Sequence, residues 1–283
     1  MRVPTVSCLI ATAPRSGSWL LSSGLHETEL AGQPEEYFRP DVTRLWASEW
    51  GIPANSPYQD YIAHALDWST GDNGVFSVKL HWYQFHWFVK MLRSFDGGEV
   101  PPAVVPRAGF GPTDPVEDAE LISKWIPNPK WVHLWRRDTA RQAVSYFRAG
   151  RTGVWFVVGG DSEHPVESDA PIEPDFHNIR WLEDIVIEHD DHWRDFFEAS
   201  GVPCLEVAYE DLVDDYPGTI GSVLEWLGAG SVADTADLEP RLVKQADERS
   251  EEWLRRYLVV RDTIEPRPVK KKINPPSPRQ VAG

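Results

Sequence analysis

Four short stretches of the chain, 6–12, 75–80, 131–135 and 203–208, are apolar or β-branched almost throughout and end at turn residues. Runs of this length with little polar alternation predict strands buried on both faces, as in a parallel sheet. Behind each lies a stretch with apolar residues three and four apart, at 18–30, 82–94, 139–149 and 216–227. That spacing is the period of an amphipathic helix. Two more helical stretches, 179–199 and 238–261, follow the same rule. Strand–helix alternation predicts an α/β fold in which helices flank both faces of a parallel sheet.

Two segments fit neither period: 96–118 is rich in Pro and Gly, and 159–174 is acidic with several prolines. Long loops inside a compact domain are commonly functional, so both are read as lids over a site, with plain surface insertions as the alternative. Residues 1–264 are expected to form a single domain. Residues 265–283, which contain several prolines and Lys270-Lys271-Lys272, are expected to be a disordered, solvated tail.

Composition narrows the functional classes. With 41% hydrophobic and 25% charged residues the chain is an ordinary globular one. No apolar run approaches the roughly 20 residues of a membrane span. A net charge of −16 argues against a nucleic-acid partner. It also requires that any site for an anionic ligand gather its cations locally. Cys8 and Cys204 read as buried strand residues, too few for a disulfide framework, which favours a reducing, cytoplasmic setting. Ala11-Thr12-Ala13 has the form of a signal-peptide cleavage site, but the preceding run is interrupted by Pro4, Thr5 and Ser7. Cleavage there would remove the first strand. The fourteen tryptophans fill core and also offer faces on which a sugar or aromatic acceptor could lie.

The candidate chemistry starts between the first strand and the first helix, at Pro14-Arg15-Ser16-Gly17-Ser18-Trp19. Such a junction aims backbone N–H groups and the positive helix end at an anion. Gly17 allows close backbone approach, Ser16 and Ser18 add hydroxyls, and Arg15 adds a cation. The string is not a Walker A loop, which needs G-x-x-x-x-G-K-[ST]. Alone, it could equally be a turn that holds nothing.

The loop resembles the 5′-phosphosulfate loop of sulfotransferases, and two further markers follow in the same order. Sulfotransferases hold a 3′-phosphate with an Arg at a strand end and a Ser eight residues on; Arg137 and Ser145 have that spacing. Tyr209-Glu210-Asp211-Leu212 resembles the segment that follows a later strand. The chain is most similar to the bacterial trehalose 2-sulfotransferase family, through 31–38, 79–82, 137–149 and 245–257. The resemblance implies a P-loop-type sulfotransferase fold, the donor PAPS (3′-phosphoadenosine-5′-phosphosulfate), no metal and a homodimer. The acceptor would be a hydroxyl on a small sugar, glycoside or natural product.

By the same resemblance Glu36 takes the place of the catalytic carboxylate, with Glu35 as its neighbouring rival. An anionic donor close by would raise its pKa, which suits a general base. His81 is the alternative base, because Lys79-Leu80-His81 has the K-x-H form of the cytosolic sulfotransferases. Lys79 and Arg15 would stabilise charge developing on the sulfuryl and bridging oxygens. Gln33, Glu36, His81 and Trp82 would contact the acceptor. Gln33 departs from the acidic residue of the family pattern, and 82–87 is unusually aromatic, so trehalose itself is not implied. Two other readings stay open: a small-molecule kinase on a degenerate P-loop, and a non-catalytic carbohydrate-binding protein on the same fold.

Overall fold

The computed structural model describes residues 2–53, 55–102, 107–111, 113–157, 172–241 and 247–267. The first half runs β1 Val6–Thr12, α1 Ser18–Glu27, α2 Thr43–Glu49, α3 Tyr58–Ser69, β2 Val75–His81, α4 Trp82–Ser94 and α5 Pro115–Trp125. The second half runs β3 Pro129–Trp135, α6 Thr139–Thr152, α7 Phe176–Ser200, β4 Cys204–Ala208, α8 Tyr209–Asp214, α9 Tyr216–Leu227 and α10 Glu248–Val260, with a short 3-10 turn before α10.

The four strands are parallel, in the order β2-β1-β3-β4. Register aligns Thr12 with His81 on one side and Leu134 on the other, so β1, β2 and β3 end side by side. The chain moves outward from β1 to β2, then crosses to the opposite side for β3. Open α/β sheets bind ligands at such a switch point, beyond the carboxyl ends of the strands.

Alternate strand residues serve opposite faces, as the pleat requires. Leu9, Val78 and Leu80 pack against Phe85, Phe88 and Trp193 of α4 and α7. Cys8, Ile10 and Val132 pack against Leu25 of α1 and Ile220 and Leu224 of α9. A third cluster joins α6, α7 and α10 through Phe147, Leu182 and Trp253. Beneath it the buried carboxylate of Glu183 accepts hydrogen bonds from Tyr257, Arg261 and Thr139.

All four strands and the helices behind them lie where the periodicity puts them, with shifts of a few residues at the ends. α2 and α3 fall in a stretch to which no element was assigned. α5 enters the predicted loop 96–118, because Asp114 caps it and Pro115 opens it, a proline position that starts helices rather than breaking them. Cys8 is buried, whereas Cys204 on the edge strand β4 is only partly so; both are free thiols. Most of 159–174 and of the tail 265–283 lies outside the described residues. Among the described residues no helix is long and apolar enough to cross a membrane, and no cluster of His, Cys, Asp and Glu has the form of a metal site.

Candidate active site

A cavity of about 870 Å³ opens at the strand ends, floored by the turn from β1 to α1. In that turn Arg15 has φ 67° and Gly17 φ 89°, both in the left-handed region. Such a backbone aims successive N–H groups at a common centre, and here the centre lies at the positive end of α1. A left-handed residue other than glycine costs on the order of 1–3 kcal/mol, so Arg15 must be held there. Its Nε donates to Ser145 Oγ at 2.9 Å and its Nη1 to the Trp155 carbonyl. Gln142 Nε2 donates to the Pro14 carbonyl at 2.8 Å, and Arg136 Nη1 to the Arg15 carbonyl at 3.3 Å. Burial, with the neighbouring Arg136 charge, lowers the Arg15 pKa to about 10, and its guanidinium remains charged.

On the β2 side the centre is Glu36, buried and facing the cavity. Gln84 Nε2 donates to its Oε2 at 2.6 Å and Arg39 Nη1 to the same oxygen at 3.1 Å. The other oxygen, Oε1, lies 3.6 Å from Lys79 Nζ and 3.7 Å from His81 Nε2. Burial alone would raise this carboxyl, but Arg39, His81 and Lys79 outweigh it and hold it well below the usual range. The protein's own charges thus set a low starting value, against which the upward push expected from an anionic donor would act. Lys79 is buried to 0% exposure, makes no hydrogen bond through Nζ, and lies 3.4 Å from the centre of the Trp19 ring. Burial lowers its pKa below that of an ordinary lysine, with Glu36 and Glu35 opposing.

A left-handed anion cradle and a caged carboxylate thus share one cavity. The sequence matches the Stf0 sulphotransferase family over residues 7–259. The chain belongs to that family. It is 29% identical over 273 residues to the trehalose 2-sulfotransferases of Mycolicibacterium smegmatis and Mycobacterium tuberculosis, covering 88% of this chain and 93% of each relative. The sulfotransferase domain from the Synechococcus PCC 7002 olefin synthase superposes with a TM-score of 0.48 at 14% identity, over 97% of this chain and 92% of that one.

In this Stf0 sulphotransferase the cavity takes in Pro14, Arg15, Gly17, Ser18 and Trp19 of the loop, and Glu36, His81 and Ser145. Ser16 does not line it: its hydroxyl turns inward, donating to the Ala13 carbonyl at 2.9 Å and meeting Thr12 Oγ1. Lys79 stands behind Trp19 rather than at the surface. Gln33 is exposed and held by Ser69 through its backbone. Trp82 is core, edge-on to Trp193 at 4.9 Å and stacked on His192 at 5.1 Å.

Arg137 also lies outside the cavity of this sulphotransferase. It forms two 2.7 Å hydrogen bonds with the Asp211 carboxylate and is exposed. The preceding residue, Arg136, lines the cavity instead, with its guanidinium 4.3 Å over the Tyr209 ring. Residues that the sequence analysis did not assign thus carry much of the site: Arg39, Gln84, Arg136, Gln142 and Tyr209. Two had a visible signal. Arg39 follows Glu36 by three residues, and Gln84 stands at the third helical position after His81, where a glutamine side chain reaches back to the preceding turn.

Proposed function

We propose that this sulfotransferase uses PAPS as donor and a hydroxyl of a sugar or glycoside as acceptor, releasing 3′,5′-adenosine diphosphate. The observation that carries this reading is the joint presence, in one cavity, of the left-handed loop with Arg15 and the buried Glu36 carboxylate facing it. The loop N–H groups and Arg15 suit the 5′-phosphosulfate, and Arg136 with Ser145 suits the 3′-phosphate. That the curated relatives are trehalose 2-sulfotransferases favours a sugar acceptor.

Glu36 takes the proton as the acceptor oxygen bonds to sulfur and the sulfur–oxygen bond to the phosphate breaks. The electron pair of that bond leaves on the phosphate oxygen, where Arg15 and the loop N–H groups meet the growing charge. A carboxylate held ionised at neutral pH is ready to accept a proton at once, although its low pKa makes it a modest base. Gln84 and Arg39 fix its orientation through Oε2, which leaves Oε1 for the acceptor. Lys79 adds positive charge from behind Trp19. His81, 3.7 Å from Oε1, is the second group that could receive the proton.

Incubation with radiolabelled PAPS and a panel of sugars and glycosides tests the reading. Label should pass to a sugar hydroxyl with release of 3′,5′-adenosine diphosphate. Transfer to no sugar, with transfer to phenols instead, would overturn the acceptor class.

A further inference from the structure

Arg107 enters the cavity on the side of Glu36, from the segment between α4 and α5. Its place is fixed in two ways. Its carbonyl accepts a hydrogen bond from His189 Nε2 at 2.7 Å, and Gly109 N, two residues on, donates to Glu188 at 3.0 Å. Its guanidinium donates to the Tyr146 hydroxyl and lies between two rings, 5.6 Å from the centre of Tyr83 and 5.9 Å from that of Tyr146. Tyr83 ties this position to the reacting carboxylate: Gln84 Nε2 donates both to the Tyr83 hydroxyl, at 3.1 Å, and to Glu36, at 2.6 Å.

Apart from Arg15, which donates to Ser145 and the Trp155 carbonyl, the other arginines of the cavity have acids beside them. Arg39 meets Glu36 and Asp41, Arg136 meets Glu210, Arg141 meets Asp138 and Glu251, and Arg148 meets Asp247. Arg107 has no carboxylate within ion-pair distance among the described residues; its partners are a phenol and two aromatic faces. Arg107 is partly buried, and Asp41, the acid whose charge it feels, lies beyond ion-pair distance; an anionic group on a ligand would give the fork the direct partner that the other four have. The net charge of −16 sharpens the point, since in an acidic chain an unmatched fixed cation stands out.

We propose that Arg107 is a specificity-determining residue that binds an anionic group (carboxylate, sulfate or phosphate) carried by the acceptor on the same molecule as the reacting hydroxyl. This deepens the sulfotransferase reading and rests on it. An Arg fork pairs with two oxygens of such a group, and the flanking Tyr83 and Tyr146 rings restrict where the rest of the acceptor can lie.

The test is calorimetric titration of the protein, saturated with 3′,5′-adenosine diphosphate, with D-glucose, D-glucuronate, D-glucose 6-sulfate and D-glucose 6-phosphate. At least one anionic sugar should bind about 10-fold or more tightly than D-glucose, and Arg107→Gln should erase that gap while nucleotide affinity stays within about twofold. Retained nucleotide binding shows that the variant is folded, and Arg107→Lys should keep part of the gap. The proposal is overturned if no anionic sugar gains over D-glucose, including if none binds, or if the gap persists in Arg107→Gln. It is equally overturned if Arg107→Gln weakens the nucleotide tenfold, which would assign the residue to the donor. Failure of the unmodified protein to bind the nucleotide would instead strike the donor reading, and the sugar comparison without nucleotide would still decide the role of Arg107.

Discussion

The ring of Tyr209 lies against Gly17 so closely that a Cβ on the glycine would stand 2.4 Å from Tyr209 Cδ2. The same ring also meets the Arg136 guanidinium, 4.3 Å from its centre. One aromatic side chain from the end of β4 therefore sets both the loop after β1 and the arginine after β3. This gives the Y-E-D-L segment a role at the site that its sequence did not disclose.

Gly17→Ala should accordingly be severe. The residue combines φ 89° with the Tyr209 contact, so alanine meets backbone strain of about 1–2 kcal/mol and an added steric cost of about 1–3 kcal/mol. Thermal unfolding should show a lowered Tm, and titration should show 3′,5′-adenosine diphosphate binding weakened by about tenfold or more. Unchanged affinity would mean that the loop backbone does not touch the nucleotide.

The two neighbouring arginines should separate cleanly. Arg136→Ala removes a cation from the cavity and should weaken 3′,5′-adenosine diphosphate by about 10- to 100-fold, as expected for a lost charge-assisted hydrogen bond. Arg137→Ala removes an exposed pair with Asp211 and should change affinity by no more than about twofold. The reverse result would return the 3′-phosphate to Arg137.

Glu36→Gln should lower turnover on the order of 10²–10⁴-fold with nucleotide affinity nearly unchanged. If His81→Asn gives that loss and Glu36→Gln does not, His81 is the base. The pH profile offers a second check on Glu36. Its pKa is held below 4.5, so its base form is present above that value and is lost only as pH falls through the lower one. No acid limb from Glu36 should appear in kcat/KM above about pH 4.5. Burial lifts Glu35 to about 7, so an inflection there that disappears in Glu35→Gln would move the role to Glu35.

Away from the site, buried His133 bridges β3 to its surroundings, with Nε2 2.8 Å from Asp190 and Nδ1 3.1 Å from Glu206. Burial disfavours its charge, but the two carboxylates outweigh burial and raise its pKa. A raised histidine contributes fully below its unfolded value of about 6.5, and the contribution is lost as pH rises through the folded value. Tm should fall as pH is raised from about 6 to about 9, and His133→Gln should flatten that slope. An equal slope in the variant would contradict this account.

The strands and the helices behind them were legible because each buries a whole run or a clear stripe, and burial writes periodicity into the chain. α5 was hidden by Pro115, since a proline reads as a loop unless the cap at Asp114 is read with it. The loop and Glu36 were legible as local strings. Which of Arg136 and Arg137 turns inward was not, because adjacent residues at a strand end diverge and the helix start after β3 decides between them. Trp82 was misplaced for a similar reason: as the first residue of α4 it turns into the core, while His81 just before it faces the cavity. The electrostatic state of Glu36 depends on Arg39, Lys79 and His81 converging from three positions, which no single stretch of sequence displays.

The most direct measurement is calorimetric titration of the unmodified protein with 3′,5′-adenosine diphosphate beside ADP and AMP. The account predicts that the 3′-phosphorylated nucleotide binds tightly and that the other two bind far more weakly. Equal binding of ADP would favour a kinase, and binding of none of the three would contradict the donor site at the Arg15–Gly17 loop.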